Sequence, residues 1–174
     1  MLDYARAKLF DPLGIVTRPA LQPLWDARNL NAYNSAGFAW PVDPQHRHFG
    51  FGLLKLRARD MANIGILYLN DGRWQGKQLV PAAWIHDATT THEPAAAGPS
   101  FSYGYQWWVT STAADDPAYL AWGFGGQMIE VVPRRQLVVV VSTHCDLTHP
   151  SDHGIIPSTL TSMVDEVIIP ALPS

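Results

Sequence analysis

Very little of this 174-residue chain is charged: Asp, Glu, Lys and Arg make up 16% of it, lysine occurs three times and cysteine once. The lone Cys145 cannot close an intrachain disulfide, so a scaffold stapled by disulfides is excluded and the thiol reads as a small buried group. Twelve Lys and Arg stand against fifteen Asp and Glu with no basic block, which removes the electrostatic footprint of a nucleic-acid binder. Apolar runs such as Leu137 to Val141 are far below the roughly 20 residues a bilayer demands, so no membrane span is expected. The opening Met1-Leu2-Asp3-Tyr4-Ala5-Arg6 has no signal-peptide core. That leaves a cytoplasmic chain or one whose true beginning lies elsewhere, with the compartment of a longer protein, cytoplasmic or periplasmic, unassigned.

What is present is material for packing. Hydrophobic residues reach 47% and aromatics 11%, with seven tryptophans, a composition foreign to disordered tails and coiled coils. Leu2, Ala5 and Leu9 fall at helical spacing before Asp11-Pro12-Leu13-Gly14 stops the pattern. A Pro-, Asn- and Gly-rich stretch from Val16 to Gly52 predicts a long ordered loop. Met61, Ile64, Leu67 and Tyr68 then mark one stripe of a second helix, stopped by Asn70-Asp71-Gly72, and Pro81 opens a short helix to about Ala88. From Tyr103 to Val109 the period changes to that of a strand. Further strands are predicted over 119–124, 127–132 and 137–143, the last pair turning at Pro133-Arg134-Arg135-Gln136. Val138 to Val141, apolar on both faces, predicts a central strand covered on each side, with a C-terminal helix over about 158–169 as one cover.

Acyl-transfer chemistry needs a nucleophile beside a base, because a neutral hydroxyl attacks poorly until its proton has somewhere to go. The residues three before the lysines are Ala5, Gly52 and Trp74, so the chain contains no Ser-x-x-Lys; it contains no Gly-x-Ser-x-Gly either. Trp122-Gly123-Phe124-Gly125-Gly126-Gln127 places three glycines between two strands. It reads either as backbone N–H groups facing a substrate oxygen or as a plain hairpin turn. His144, Cys145, Asp146, His149, Asp152 and His153 are chemically fit to hold zinc, but their spacing follows no named metal motif and they are ordinary loop residues, so neither a metal nor a cofactor is expected.

Several segments, taken in order, carry a resemblance: Tyr4 to Ile15 with Asp11-Pro12-Leu13-Gly14, Gly52 to Gly72 with Leu53-Leu54-Lys55-Leu56-Arg57-Ala58-Arg59-Asp60, Tyr103-Gly104-Tyr105-Gln106-Trp107-Trp108, Gly123 to Gln127, and Pro133 to Val141. The chain resembles the C-terminal part of the serine β-lactamase-like family, which spans class C β-lactamases, penicillin-binding proteins, esterases and 6-aminohexanoate-dimer hydrolases. The resemblance implies an α+β fold, an antiparallel sheet with flanking helices, in a single domain over 1–174 that is a fragment of a larger serine hydrolase domain. It implies that the Ser-x-x-Lys nucleophile lies upstream, so that the chain is inactive alone. It places Ala121-Trp122-Gly123 on the pocket strand, with the Phe124 N–H in the oxyanion role or the register passing through Gly125 or Gly126. Trp122, Gly125, Gly126 and His153 then face a small ester or amide substrate. With no Lys at Ala121-Trp122-Gly123, esters and small amides fit better than β-lactams. A non-catalytic binding or interaction module on the same fold is the alternative, and a metal-binding protein using the His-rich loop 144–153 stands behind it. A sheet deprived of its first strands also predicts an open edge, hence self-association or a partner fragment.

Overall fold

The computed structural model describes residues 1–21, 33, 35–50, 52–93, 101–123, 125–143 and 157–172. The chain forms two compact units, Met1–Asn63 and Ile64–Ser174.

In the first unit, helix α1 (Leu2–Ala5) widens into a π-helical turn over Arg6–Phe10, burying Leu2 and Phe10. Gly14 at φ +70° ends it, and the Ile15 N–H returns to the Phe10 carbonyl. Phe10 packs edge-on against Phe38 and Trp40 at centroid separations of 5.7 and 6.3 Å, and His48 stacks on Trp40 at 4.5 Å. The described part of the predicted long loop therefore carries an aromatic layer. It is crossed by single bridges, Leu21 with Ala39, Ala39 with Lys55 and Val42 with His48. Helix α2 (Ala58–Leu69) begins here, where Asp60, 1% exposed, accepts from Arg57 Nε at 2.8 Å and Nη2 at 3.0 Å.

In the second unit α2 ends at Gly72, whose φ of +78° and closeness to the Val80 carbonyl leave no room for a side chain. A hairpin follows, β1 (Arg73–Trp74) and β2 (Lys77–Gln78), with Gln75 and Gly76 both at positive φ as its tight turn requires. Next comes α3 (Ala82–Ala88). The five-stranded sheet is an antiparallel meander in the order β3 (Ser102–Tyr103), β4 (Trp108–Ser111), β5 (Pro117–Gly123), β6 (Gln127–Val132), β7 (Leu137–Val141). On one face the α2 residue Gly65 lies against Val138 and Ile129, and Tyr68 packs its ring 4.3 Å from Trp107. On the other, Leu120, Met128 and Val139 form a core with Leu160 and Val164. Those last two come from the C-terminal helix, α4 (Pro157–Met163), which continues through a π stretch over Val164–Ile168.

Two strand expectations are corrected. The run from Tyr103 to Val109 is two strands, because Gly104 is pressed against the Ala88 and Thr90 carbonyls and Gln106 takes φ +63°, folding 104–107 into a bend. Strand β7 is covered on both faces but is an edge among the described residues, pairing with β6 alone. An apolar run on both faces reports what lies above and below a strand; it says nothing of what lies beside it. Among the described residues no helix is long and apolar enough to cross a membrane.

Candidate functional site

The glycine-rich hexamer caps the β5–β6 hairpin. Gly123 closes the ladder opposite Gln127 and is solvent-exposed, with only ordinary contacts around the position a Cβ would take. Gly125 and Gly126 follow at φ +74° and +82°, a left-handed path that L side chains resist. That is the physical reason for glycine at both positions.

The turn is strapped to the end of β7. Gln127 Nε2 donates to the Thr143 carbonyl at 2.9 Å and to Thr143 Oγ1 at 3.1 Å, Thr143 Oγ1 donates to the Gly125 carbonyl, and Ser142 Oγ donates to Gln127 Oε1 at 3.1 Å. Among the described residues neither the Gly125 nor the Gly126 N–H reaches a backbone carbonyl. The result is a loop held by side-chain hydrogen bonds, whose Gly125 and Gly126 N–H groups meet no backbone carbonyl among the described residues, the kind of donor pair that can hold an oxygen gaining negative charge. Replacing Gln127 by alanine removes two donors at a part-buried site, about 1 kcal/mol each. Amide exchange at Gly125 and Gly126 is expected to rise at least about tenfold, read by NMR, while β5–β6 amides away from the turn stay protected.

Trp122 takes a different place. Its ring packs against the core between sheet and C-terminal helix, 6.1 Å from Trp108, and its buried Nε1 has no hydrogen-bond partner among the described residues. Trp122 thus stands next to the exposed Gly123 in sequence but belongs to an interior layer. Glu130, two residues before the end of β6, shares that layer: it is 2% exposed, lies opposite Leu120 and Val139, and its Oε2 lacks a partner among the described residues. Burial, with a smaller contribution from Asp165, pushes its carboxyl up to about 7.

Phe124 and His153 lie outside the described residues, as do His144, Cys145, Asp146, His149 and Asp152. Among the described residues no group of three or more His, Cys, Asp or Glu is placed to hold a metal ion. The structure thus brings Gly123, Gly125 and Gly126 together at one turn and adds Gln127, Ser142 and Thr143. The last two carried no local signal, because their partner lies 15 or 16 residues away. Glu130 did carry one, a carboxylate in an otherwise apolar inward series with Met128 and Val132.

A five-stranded antiparallel sheet with a helix on each face, and a glycine turn at the end of an inner hairpin, defines a β-lactamase-type α+β architecture. The Beta-lactamase family model matches residues 1–159, and the chain belongs to that family. It is similar to 6-aminohexanoate-dimer hydrolase from Paenarthrobacter ureafaciens, at 30% identity over 102 residues, covering 53% of this chain and 26% of that protein. Among solved structures, a Bacillus anthracis protein named for 6-aminohexanoate-dimer hydrolase matches with TM-score 0.51 at 25% identity, over 73% of this chain and 34% of that one. The octameric penicillin-binding protein homologue from Pyrococcus abyssi matches in fold with TM-score 0.59 at 14% identity, over 96% of this chain and 37% of that one. The chain spans between about a quarter and somewhat over a third of the lengths of these relatives.

Proposed function

We propose that these residues are the sheet-and-loop portion of a serine hydrolase that cleaves esters or small amides through an acyl-enzyme, with the Ser-x-x-Lys nucleophile on polypeptide outside the 174 residues. The observation that carries this reading is the left-handed Gly125–Gly126 turn, strapped by Gln127 and Thr143 beside an exposed Gly123, on a sheet of the β-lactamase type. In the proposed step a serine oxygen attacks the substrate carbonyl, a base takes its proton, and the carbonyl oxygen becomes an oxyanion held by the Phe124 N–H or its glycine neighbours. Collapse of that intermediate expels the alcohol or amine, and water releases the acyl group. The absence of Lys from Ala121-Trp122-Gly123 supports neutral esters and small amides over β-lactams, whose carboxylate calls for a cation.

Two measurements test this. The purified 174-residue chain is expected to give no turnover of a nitrophenyl ester above buffer, while a version extended upstream through a Ser-x-x-Lys helix hydrolyses it. In that extended enzyme Phe124→Pro, which deletes one N–H, is expected to lower kcat by about 10²- to 10³-fold. Saturable hydrolysis by the short chain overturns the assignment, and an unchanged kcat in the proline variant removes the Phe124 N–H from the oxyanion role and leaves it to Gly125 or Gly126.

A further inference from the structure

The first unit contains a cavity that the hydrolase reading does not use. It has a volume of about 370 Å³, within the range of small-ligand sites, and its walls are mostly apolar: Val16, Pro19, Leu21, Ala36 and Phe38. Its frame is built before any ligand arrives. Phe38 is 2% exposed, the Leu21 N–H donates to the Phe38 carbonyl, and the Trp40 N–H donates to the Leu21 carbonyl, which ties the two walls together. The wall leading to Arg18 is anchored at the buried Thr17, which receives Arg6 through its hydroxyl at 3.0 Å and its carbonyl at 3.2 Å.

Two arginines are among the residues lining this apolar space, Arg18 and Arg57, and they are not equivalent. Arg57 is neutralised by its two-pronged pair with buried Asp60. Arg18 has no ion-pair or hydrogen-bond partner among the described residues. Among the described residues the cavity therefore carries one positive charge without an ion-pair partner, beside an aliphatic lining. A dianion is mismatched to a single charge, and a neutral apolar molecule makes no use of the guanidinium. A carboxylate with a short aliphatic chain satisfies both features, because the fork of an arginine matches two carboxylate oxygens.

We propose that this cavity is a binding site for a small aliphatic monocarboxylate, with Arg18 taking the carboxylate and the Val16–Leu21 and Ala36–Phe38 walls taking the chain. The site is read by binding alone, so its failure is distinct from any failure of the hydrolase assignment.

The experiment titrates the 174-residue protein with sodium pentanoate, pentanamide and pentylamine, following methyl and amide shifts by NMR. Pentanoate is expected to saturate shifts at Val16, Ala20, Leu21 and Ala36, with pentanamide at least about tenfold weaker and pentylamine not binding, the discrimination a charge-assisted pair supplies. Arg18→Gln is expected to weaken pentanoate at least about tenfold. Arg18→Lys, which keeps the charge and loses the fork, should fall between the two; Arg18 is exposed, so both variants should fold, as circular dichroism checks. Equal affinity for pentanoate and pentanamide, an Arg18→Gln protein with unchanged affinity, or shifts confined to residues outside the cavity each overturns the proposal.

Discussion

As pH rises from about 4.5 to about 7 the folded protein is expected to lose on the order of 3 kcal/mol of stability through Glu130 alone. Desolvation raises its folded-state carboxyl above the unfolded value, so in this interval the native state holds the proton more tightly than the unfolded chain does. The unfolding free energy must then fall with pH. The contribution is complete below about 4.5, declines through the interval and is gone above about 7. Asp43 and Asp116, held below the usual carboxylate range chiefly by hydrogen bonds from Arg47 and Arg135, act with the opposite sign and only in acid. Urea denaturation of the wild type and Glu130→Gln across this range isolates the effect, since the difference curve cancels every other carboxylate. Glu130→Met should go further and be the more stable protein at neutral pH, because it also removes a buried polar atom that has no partner among the described residues. A flat difference curve between wild type and Glu130→Gln would show that the carboxyl is solvated or paired.

The second large effect concerns Gly65, where two ordinary rules give opposite signs. Glycine inside a helix is less favourable than alanine by about 1 kcal/mol, so propensity alone predicts that Gly65→Ala stabilises α2. A Cβ there, however, would stand 2.5 Å from Val138 Cγ1 and 2.9 Å from Ile129 Cγ2, both on the sheet face that α2 covers. Forcing a methyl into such a contact typically costs about 1–3 kcal/mol, enough to reverse the sign. We expect Gly65→Ala to lower stability by about 1–2 kcal/mol and Gly65→Leu by about 3 kcal/mol or more. Val138→Ala should relieve the overlap, so the Gly65→Ala/Val138→Ala double variant should be more stable than the sum of the single changes predicts. A Gly65→Ala protein with a raised melting temperature would mean that the helix and sheet are not in this contact.

How far the sequence could be read depended on whether a signal was local. The stripe of α2 and its stop at Gly72 were legible because helix period and positive-φ chemistry sit within neighbouring residues. The turn at Gly125 and Gly126 was legible for the same reason, but its meaning was not, since a hairpin turn and an oxyanion loop use the same glycines. The strapping of that turn by Thr143 was invisible, because strand pairing brings together Thr143 and Gln127, which stand 16 positions apart in the chain. The splitting of 103–109 failed for a related reason. Alternation was present, but Gly104 answers to the backbone of Ala88 and Thr90, which no local pattern encodes. The family resemblance rested on five segments in order and holds over residues 1–159.

The alternation of the β5–β6 hairpin also bears on how its length can vary. Tyr119, Ala121, Ile129 and Val131 face one layer, while Leu120, Trp122, Met128 and Glu130 face the other. Inserting or deleting one residue inside a strand would swap that strand's two sets; in β6 this would carry the Glu130 carboxylate to the side of Tyr68 and Trp107 and lift Met128 out of the layer under the C-terminal helix. Gain or loss of residues in pairs would keep every side chain in its own layer. Natural length polymorphism should therefore collect outside the paired register, and within it should come in even steps.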